Sequence, residues 1–367
     1  MMKVYLDNNR ATMLDTQVIE AMQPLYTEHY ADPAAIHAEG AESRRSRDQA
    51  YAKIRASLHA TEADTLIIGA DPDALQSKLL LAFYMHTIMT GQKNHLILSA
   101  HESAAVHQTA SYIASQGCHV TVLPLTSDGI VDIALLKQTI TPKTALVSIP
   151  MADAQSGAII PLDEVSQICK TYNVPLHTDA SHLVGKLPID VQLLDIDYLT
   201  LSTRTMHGPG GTALLFVKAG QTLPNLMQPN HDHPGLVGLG KALELAVDAQ
   251  AFEMEDVREL RDKLEEAVRE IPKHLIITPW ALRTANTLLV GFKEVQSETL
   301  LWELSKRGIY ASAEQGRHII SHIGADPIYR HTLIGFALSR YTTEEEIDYT
   351  IEKLRDAVDF IRTQRTH

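Results

Sequence analysis

Seven short runs of apolar and β-branched residues punctuate the first two-thirds of the chain. They are Leu66-Ile67-Ile68, His95 to Leu98, His119 to Leu123, Ala145 to Ile149, Pro175 to Thr178, Tyr198 to Ser202 and Ala213 to Val217. Each is nearly continuous rather than alternating, the pattern of strands buried on both faces. Most intervening segments are long enough for a crossover helix. The runs therefore predict an α/β fold, a mostly parallel seven-stranded sheet with helices on both sides.

Beyond Gly235 the period changes. Val257, Leu260, Leu264 and Val268 recur every three or four residues, predicting a long amphipathic helix that stops at Pro272. Strand-like segments at Leu288 to Val290 and Leu333 to Leu338 bracket a helix near Glu298 to Lys306. A last helix opens at Thr342-Thr343, with Glu345-Glu346 three residues on as in a capping box, and buries Ile347, Ile351, Leu354, Val358 and Ile361. The expected organisation is a large α/β domain over residues 15–250 and a smaller α+β domain over 251–367.

Charge and cysteine usage narrow the setting. The chain carries 32 Lys and Arg against 45 Asp and Glu, a formal charge of −13 over 367 residues. Nucleic acid and anionic membrane need clustered cations, so neither is an expected partner. No apolar run is long enough to span a bilayer. The N-terminal MMKVYLDNNRATML has neither an apolar h-region nor a small-residue cleavage site. Cys118 and Cys169 cannot build a disulfide framework, and both are expected as small buried hydrophobes in a reducing cytoplasm.

In an open parallel sheet, ligands sit beyond the carboxyl ends of the strands. Three such ends carry polar residues here: Gly69-Ala70-Asp71-Pro72-Asp73, His177-Thr178-Asp179-Ala180-Ser181-His182, and Ser202-Thr203-Arg204-Thr205-Met206-His207-Gly208-Pro209. Taken singly, each is explained by turn chemistry. Together with Tyr5-Leu6-Asp7-Asn8-Asn9, Val184-Gly185-Lys186-Leu187-Pro188-Ile189-Asp190 and the long run Arg340-Tyr341-Thr342-Thr343-Glu344-Glu345-Glu346-Ile347-Asp348-Tyr349, they make the chain resemble the NifS/IscS-type cysteine desulfurases. These are class-V aminotransferases of the pyridoxal-phosphate (PLP) transferase fold, type I. The resemblance implies a PLP-binding large domain and a small domain built from residues 1–14 together with 251–367. It also implies a homodimer with active sites at the subunit interface. A lysine would tether PLP as an imine, and a loop cysteine would receive sulfur as a persulfide.

The same resemblance places other residues at the positions that carry this chemistry. Thr205 stands where the PLP lysine belongs, and a hydroxyl forms no imine. Arg317 stands at the catalytic-cysteine position. Asp71, followed by Pro72, replaces the phosphate-cradle hydroxyl at a helix N-terminus. A phosphate there would be repelled by about 4 kcal/mol at ~4 Å and an effective dielectric near ~20, unless Arg204 neutralised Asp71. Ser103, after His101-Glu102, takes the place of the ring-stacking histidine. Ala154 replaces an asparagine, His182 a glutamine, and Gly335 the substrate-clamping arginine. The loop that completes the partner's phosphate site is reduced to about Gln228 to Gly238. Asp179, Ser202 and the Gly208-Pro209 turn remain.

Helix caps, turns and core pattern stay orderly while the losses concentrate in one pocket. The sequence therefore predicts a folded homologue without PLP as cofactor, kept for binding or regulation linked to iron–sulfur metabolism. Its expected partners are a second copy, an active desulfurase or an iron–sulfur scaffold. The alternative is a repurposed enzyme or ligand binder using Asp71, Ser103, Asp179, His182, Arg204 and His207, which are expected to converge on one cleft. His231-Asp232-His233 and the His318/His322 pair show metal-like spacing without a fixed third ligand, so no metal site is assigned.

Overall fold

A computed structural model describes residues 2–221, 232–277, 283–313 and 317–364. Its central sheet has the spatial order Thr65–Gly69, Ala213–Val217, Tyr198–Ser202, Leu176–Asp179, Thr144–Ser148, His95–Ser99, His119–Leu123. Only Ala213–Val217 runs antiparallel to its neighbours. Alternate side chains enter two cores. Ile68, Ile97, Val147 and Phe216 join Ile54, Leu58 and Leu243 on one side. Ile67, Leu96, Leu98, Leu146 and Leu215 join Leu75, Leu79 and Ile113 on the other. Burial on both faces explains why these strands read as unbroken apolar runs.

One run departs from that expectation. His119–Leu123 is the sheet edge, with His119 and Val122 exposed and only Leu123 fully buried. Continuous apolarity there does not mean two covered faces, unlike at the opposite edge, Thr65–Gly69, where Leu66, Ile67 and Ile68 are buried.

The C-terminal region forms a four-stranded antiparallel sheet in the order Ser312–Ala313, Leu333–Ala337, Thr287–Phe292, His274–Ile277. The N-terminus returns to it: Val4–Tyr5 pairs in parallel with Ile309–Tyr310, and Val4 and Leu6 share a core with Val290, Phe336 and Leu354. The final helix, Glu344–Gln364, is closed by the expected box. Glu346 Oε2 accepts from the Thr343 amide at 2.9 Å, and Thr343 Oγ1 accepts from the Glu346 amide at 3.3 Å. The long helix starts far earlier than its period suggested. It runs unbroken from His233 to Arg269, across residue 250.

Candidate functional site

Strand Leu176–Asp179 ends on the one carboxylate that the resemblance keeps. Asp179 Oδ2 accepts from Gln76 Nε2 at 2.6 Å and from Thr200 Oγ1 at 2.7 Å, while Oδ1 accepts from the Ser181 amide at 3.0 Å. Gln76 lies on helix Pro72–Phe83 and is itself buried. Burial raises the Asp179 carboxyl above its usual range, the charge of Asp73 adds to that, and hydrogen bonds from Thr200 and Ser181 oppose it.

Behind Asp179 a chain of buried polar groups runs to a second carboxyl. Thr200 Oγ1 lies 3.2 Å from His177 Nε2, and Ser148 Oγ lies 2.7 Å from His177 Nδ1 and 2.7 Å from Glu102 Oε1. Each hydroxyl has one proton and a neutral imidazole has one N–H. The contacts are all satisfied when the two end carboxyls share one proton, on Glu102 or on Asp179. Burial pushes Glu102 up to about 8 and His177 down to about 3, which matches a protonated acid beside a neutral ring. Neighbouring His101 has the opposite state. Its ring nitrogens face Asp153 Oδ1 at 3.1 Å and the Gly129 carbonyl at 2.8 Å, so Asp153 holds it charged despite its burial.

The positions around this core are largely engaged in local structure. Asp71 caps helix Pro72–Phe83, its Oδ1 accepting from the Ala74 amide at 3.2 Å, and Pro72 removes a second donor. Ser103 caps helix Ala104–Ser115 through the Val106 amide at 3.3 Å. Ser202 accepts from the Arg204 amide at 3.2 Å, capping the short turn Thr203–Thr205. The Thr205 hydroxyl donates to the Ser181 carbonyl. Ala154 offers only its carbonyl, which accepts from Asn9 Nδ2 at 2.9 Å. Gly335 lies mid-strand, paired with Leu289 and Ser312.

The expected single cleft is therefore only partly assembled. Asp179, Ser181 and Ser202 are joined by hydrogen bonds, with the Ser202 amide donating to Ser181 Oγ at 2.9 Å. Arg204 is exposed and acts on Tyr5 and Asp7; among the described residues no ion pair links it to Asp71. His207 turns toward the N-terminal segment, where its Nδ1 meets the Met13 carbonyl at 2.8 Å and its ring stands edge-on to Tyr341. It lines a separate small cavity with Lys186, Thr205, Asn286 and Arg340. The His182 Nδ1 is buried without a hydrogen-bond partner among the described residues, and burial and Lys186 push the ring down to about 4.

Gln76, Ser148 and Thr200 escaped the sequence reading, and His177 entered it only as part of its strand-end segment. Gln76 did leave a signal, as a polar residue at a core-facing position between Leu75 and Leu79. Both cysteines are buried as expected, and burial raises both thiols, Cys169 to about 12. The histidine segments form no group of three metal-ligating side chains among the described residues. His233 Nε2 instead meets Ser46 Oγ at 2.9 Å, and Asp232 caps the helix through Gly235. His231 and residues 228–230 and 314–316 of the two expected loops lie outside the described residues. Arg317 opens helix Arg317–His322.

A family model described as aminotransferase class-V matches residues 4–231 and 231–350. The chain belongs to that family. It is 31% identical over 98% of its length to cysteine desulfurase 2 of Trichormus variabilis, of which 94% is covered. It is 30% identical to the cysteine desulfurase IscS of Dictyoglomus turgidum, covering 98% of this chain and 96% of the relative. A solved structure of a NifS-like protein superposes with a TM-score of 0.91 at 29% identity, covering 98% of this chain and all of that one. The fold is that of NifS-like, type I PLP transferases, and the family is PLP-dependent. No helix among the described residues is long and apolar enough to cross a membrane.

Proposed function

We propose that this chain is a cysteine-desulfurase homologue that works without PLP or sulfur transfer, as a binding or regulatory protein tied to iron–sulfur metabolism. The observation that carries this reading is Gln76 Nε2 seated 2.6 Å from Asp179 Oδ2, which with Thr200 fills the oxygen a pyridinium N–H would need. The residues present do not fit the coenzyme. Thr205 has no amine and is bound to the Ser181 carbonyl. The Asp71 carboxylate takes the Ala74 amide that a phosphate would use. Cys118 and Cys169 are buried with raised thiols, unlike a sulfur-accepting thiolate. The homodimer, the active desulfurase and the iron–sulfur scaffold remain its proposed partners, in a cytoplasmic setting.

The deciding experiment incubates purified protein with PLP, before and after borohydride, and with cysteine. No reducible adduct and no alanine or sulfide are expected. A stoichiometric pyridoxyl-peptide, or cysteine turnover, overturns the reading. The second reading, a small-ligand binder, draws on the buried, unpartnered Nδ1 of His182. It predicts a ligand-dependent melting shift that His182→Ala removes.

A further inference from the structure

A cavity of about 400 Å³ lies away from Asp179, where the Gly185–Pro188 turn and helix His233–Arg269 meet the lead-in to strand Thr287–Phe292. Lys186, Gln250, Arg258, Arg283 and Thr284 line it, with Glu255 as its carboxylate. Its carboxylate and two acids further along the helix are engaged by guanidinium groups. Glu255 pairs with Arg258, Asp262 with Arg261 at 2.5 Å, and Glu265 with Arg269 at 2.5 Å and Arg283 at 2.7 Å.

Among the described lining residues, Lys186, Arg258 and Arg283 outnumber the single carboxylate, Glu255. Lys186 is 9% exposed, and among the described residues its Nζ bonds the His182 carbonyl, at 2.9 Å. Burial pushes its ammonium down to about 8. Arg283 Nη1 and Gln250 Nε2, on two residues that line the cavity, are buried with no hydrogen-bond partner among the described residues. The buried Arg261 guanidinium is also destabilised by the charge of Arg283. Buried N–H donors without acceptors cost about 1–3 kcal/mol each, more when charged, so a structure that leaves several around one cavity is suited to an external acceptor.

We infer that this cavity binds a compact oxyanion, the carboxylate or phosphate group of a small metabolite, between Lys186, Gln250 and Arg283. None of its donors contacts Asp179, so the site does not rest on the coenzyme reading, although Lys186 bonds the carbonyl of His182, the residue of the second reading. Arg283 would turn its free Nη1 toward the oxyanion while Nη2 keeps Glu265, and Gln250 would add a neutral donor.

The test titrates inorganic phosphate and succinate against the melting temperature of the full chain, with chloride as the control at equal ionic strength. A saturable rise on the order of 2–3 °C is expected for one of the two oxyanions. Gln250→Leu should raise its half-saturation concentration about threefold to tenfold, the scale of one lost hydrogen bond. Arg283→Gln with Lys186→Met should abolish the rise. A crystal soaked in selenate should give an anomalous peak within hydrogen-bond distance of Arg283. No rise, an equal rise with chloride, a rise unchanged in the variants, or selenate bound only elsewhere overturns the site.

Discussion

Gln76 and Asp179 are bonded side chain to side chain, 2.6 Å apart, at the carboxyl end of a central strand of the large sheet. Gln76 also reaches Thr200 Oγ1 at 3.0 Å, so one amide ties a helix to two adjacent strands. Gln76→Leu would leave Asp179 and Thr200 a donor short in a buried site. The expected cost is about 1–3 kcal/mol in urea unfolding. A double-mutant cycle with Asp179→Asn should give a coupling of about 0.5–3 kcal/mol. Strict additivity would show that the bond does not exist in solution.

The shared proton between Glu102 and Asp179 makes stability fall toward alkaline pH. Glu102 is raised from its ordinary 4.5 to about 8, so the native state keeps a proton that the unfolded chain releases above about 4.5. The Glu102 contribution should therefore decline as pH rises from about 4.5 to 8. The net decline is read from about 6.5, where the buried histidines cease to oppose it. Above 8 Lys186, lowered from 10.5 to about 8, acts in the opposite sense. His101, held charged by Asp153, contributes a slope of the same sign. The diagnostic quantity is thus the difference between wild type and Glu102→Gln, whose decline should be visibly shallower. Below 6.5 the sign reverses. His177 at about 3 and His182 and His207 at about 4 stay neutral in the native state while the unfolded chain protonates them, so acid destabilises. Urea midpoints between pH 4.5 and 8.5 should peak near neutrality.

A second buried pair fastens the N-terminal segment. Asp15 Oδ2 accepts from Arg340 Nη2 at 2.6 Å and from the Tyr341 hydroxyl at 2.5 Å. Burial alone would raise the Asp15 carboxyl, but hydrogen bonds from Tyr341 and Gln17 and the Arg340 charge hold it below its usual value. Its contribution is present above the ordinary carboxylate pKa and is lost as pH falls. Asp15→Ala strands the guanidinium and should cost about 3–5 kcal/mol near neutral pH.

These features also mark what was legible. Continuous apolar runs revealed the sheet because its strands are covered twice. The Thr343/Glu346 box was legible because both partners lie three residues apart. The start of the long helix was not, since Gly235, Gly238 and Gly240 break the apolar rhythm, and packing holds those turns. Gly240, for example, lies against the backbone of Ala50. Asp71, Asp179, Ser202 and Thr205 were found at strand ends, but their hydrogen-bond partners were not. The Gln76–Asp179 and Asp15–Arg340 contacts join residues 103 and 325 positions apart, and no local pattern encodes such pairs.

Thiol chemistry checks the proposed loss of sulfur transfer directly. Cys118 is 6% exposed and Cys169 is 2% exposed, and burial raises both thiols. Alkylation by iodoacetamide at pH 8 should label neither in native protein and both in urea, by intact mass. Rapid native labelling of one cysteine, or a persulfide formed on it from cysteine, would restore a sulfur-transfer role.

On the reading proposed above, a lysine at position 205 should not by itself confer PLP binding. Thr205→Lys supplies a nucleophile, but Asp71 still faces the phosphate position and Gln76 still occupies Asp179. The ~4 kcal/mol repulsion possible at an effective dielectric near 20 is reduced by the exposure of Asp71, and a tenfold effect remains a fair lower bound. Thr205→Lys alone should therefore show no saturable imine absorbance at micromolar PLP. Adding Asp71→Thr should tighten PLP binding at least about tenfold, and adding Gln76→Leu should tighten it further by freeing the ring-nitrogen partner. If the single variant binds PLP as tightly as the triple variant, the cradle and the Gln76 bond are not what bars the coenzyme, and only the lost lysine separates this chain from its active relatives.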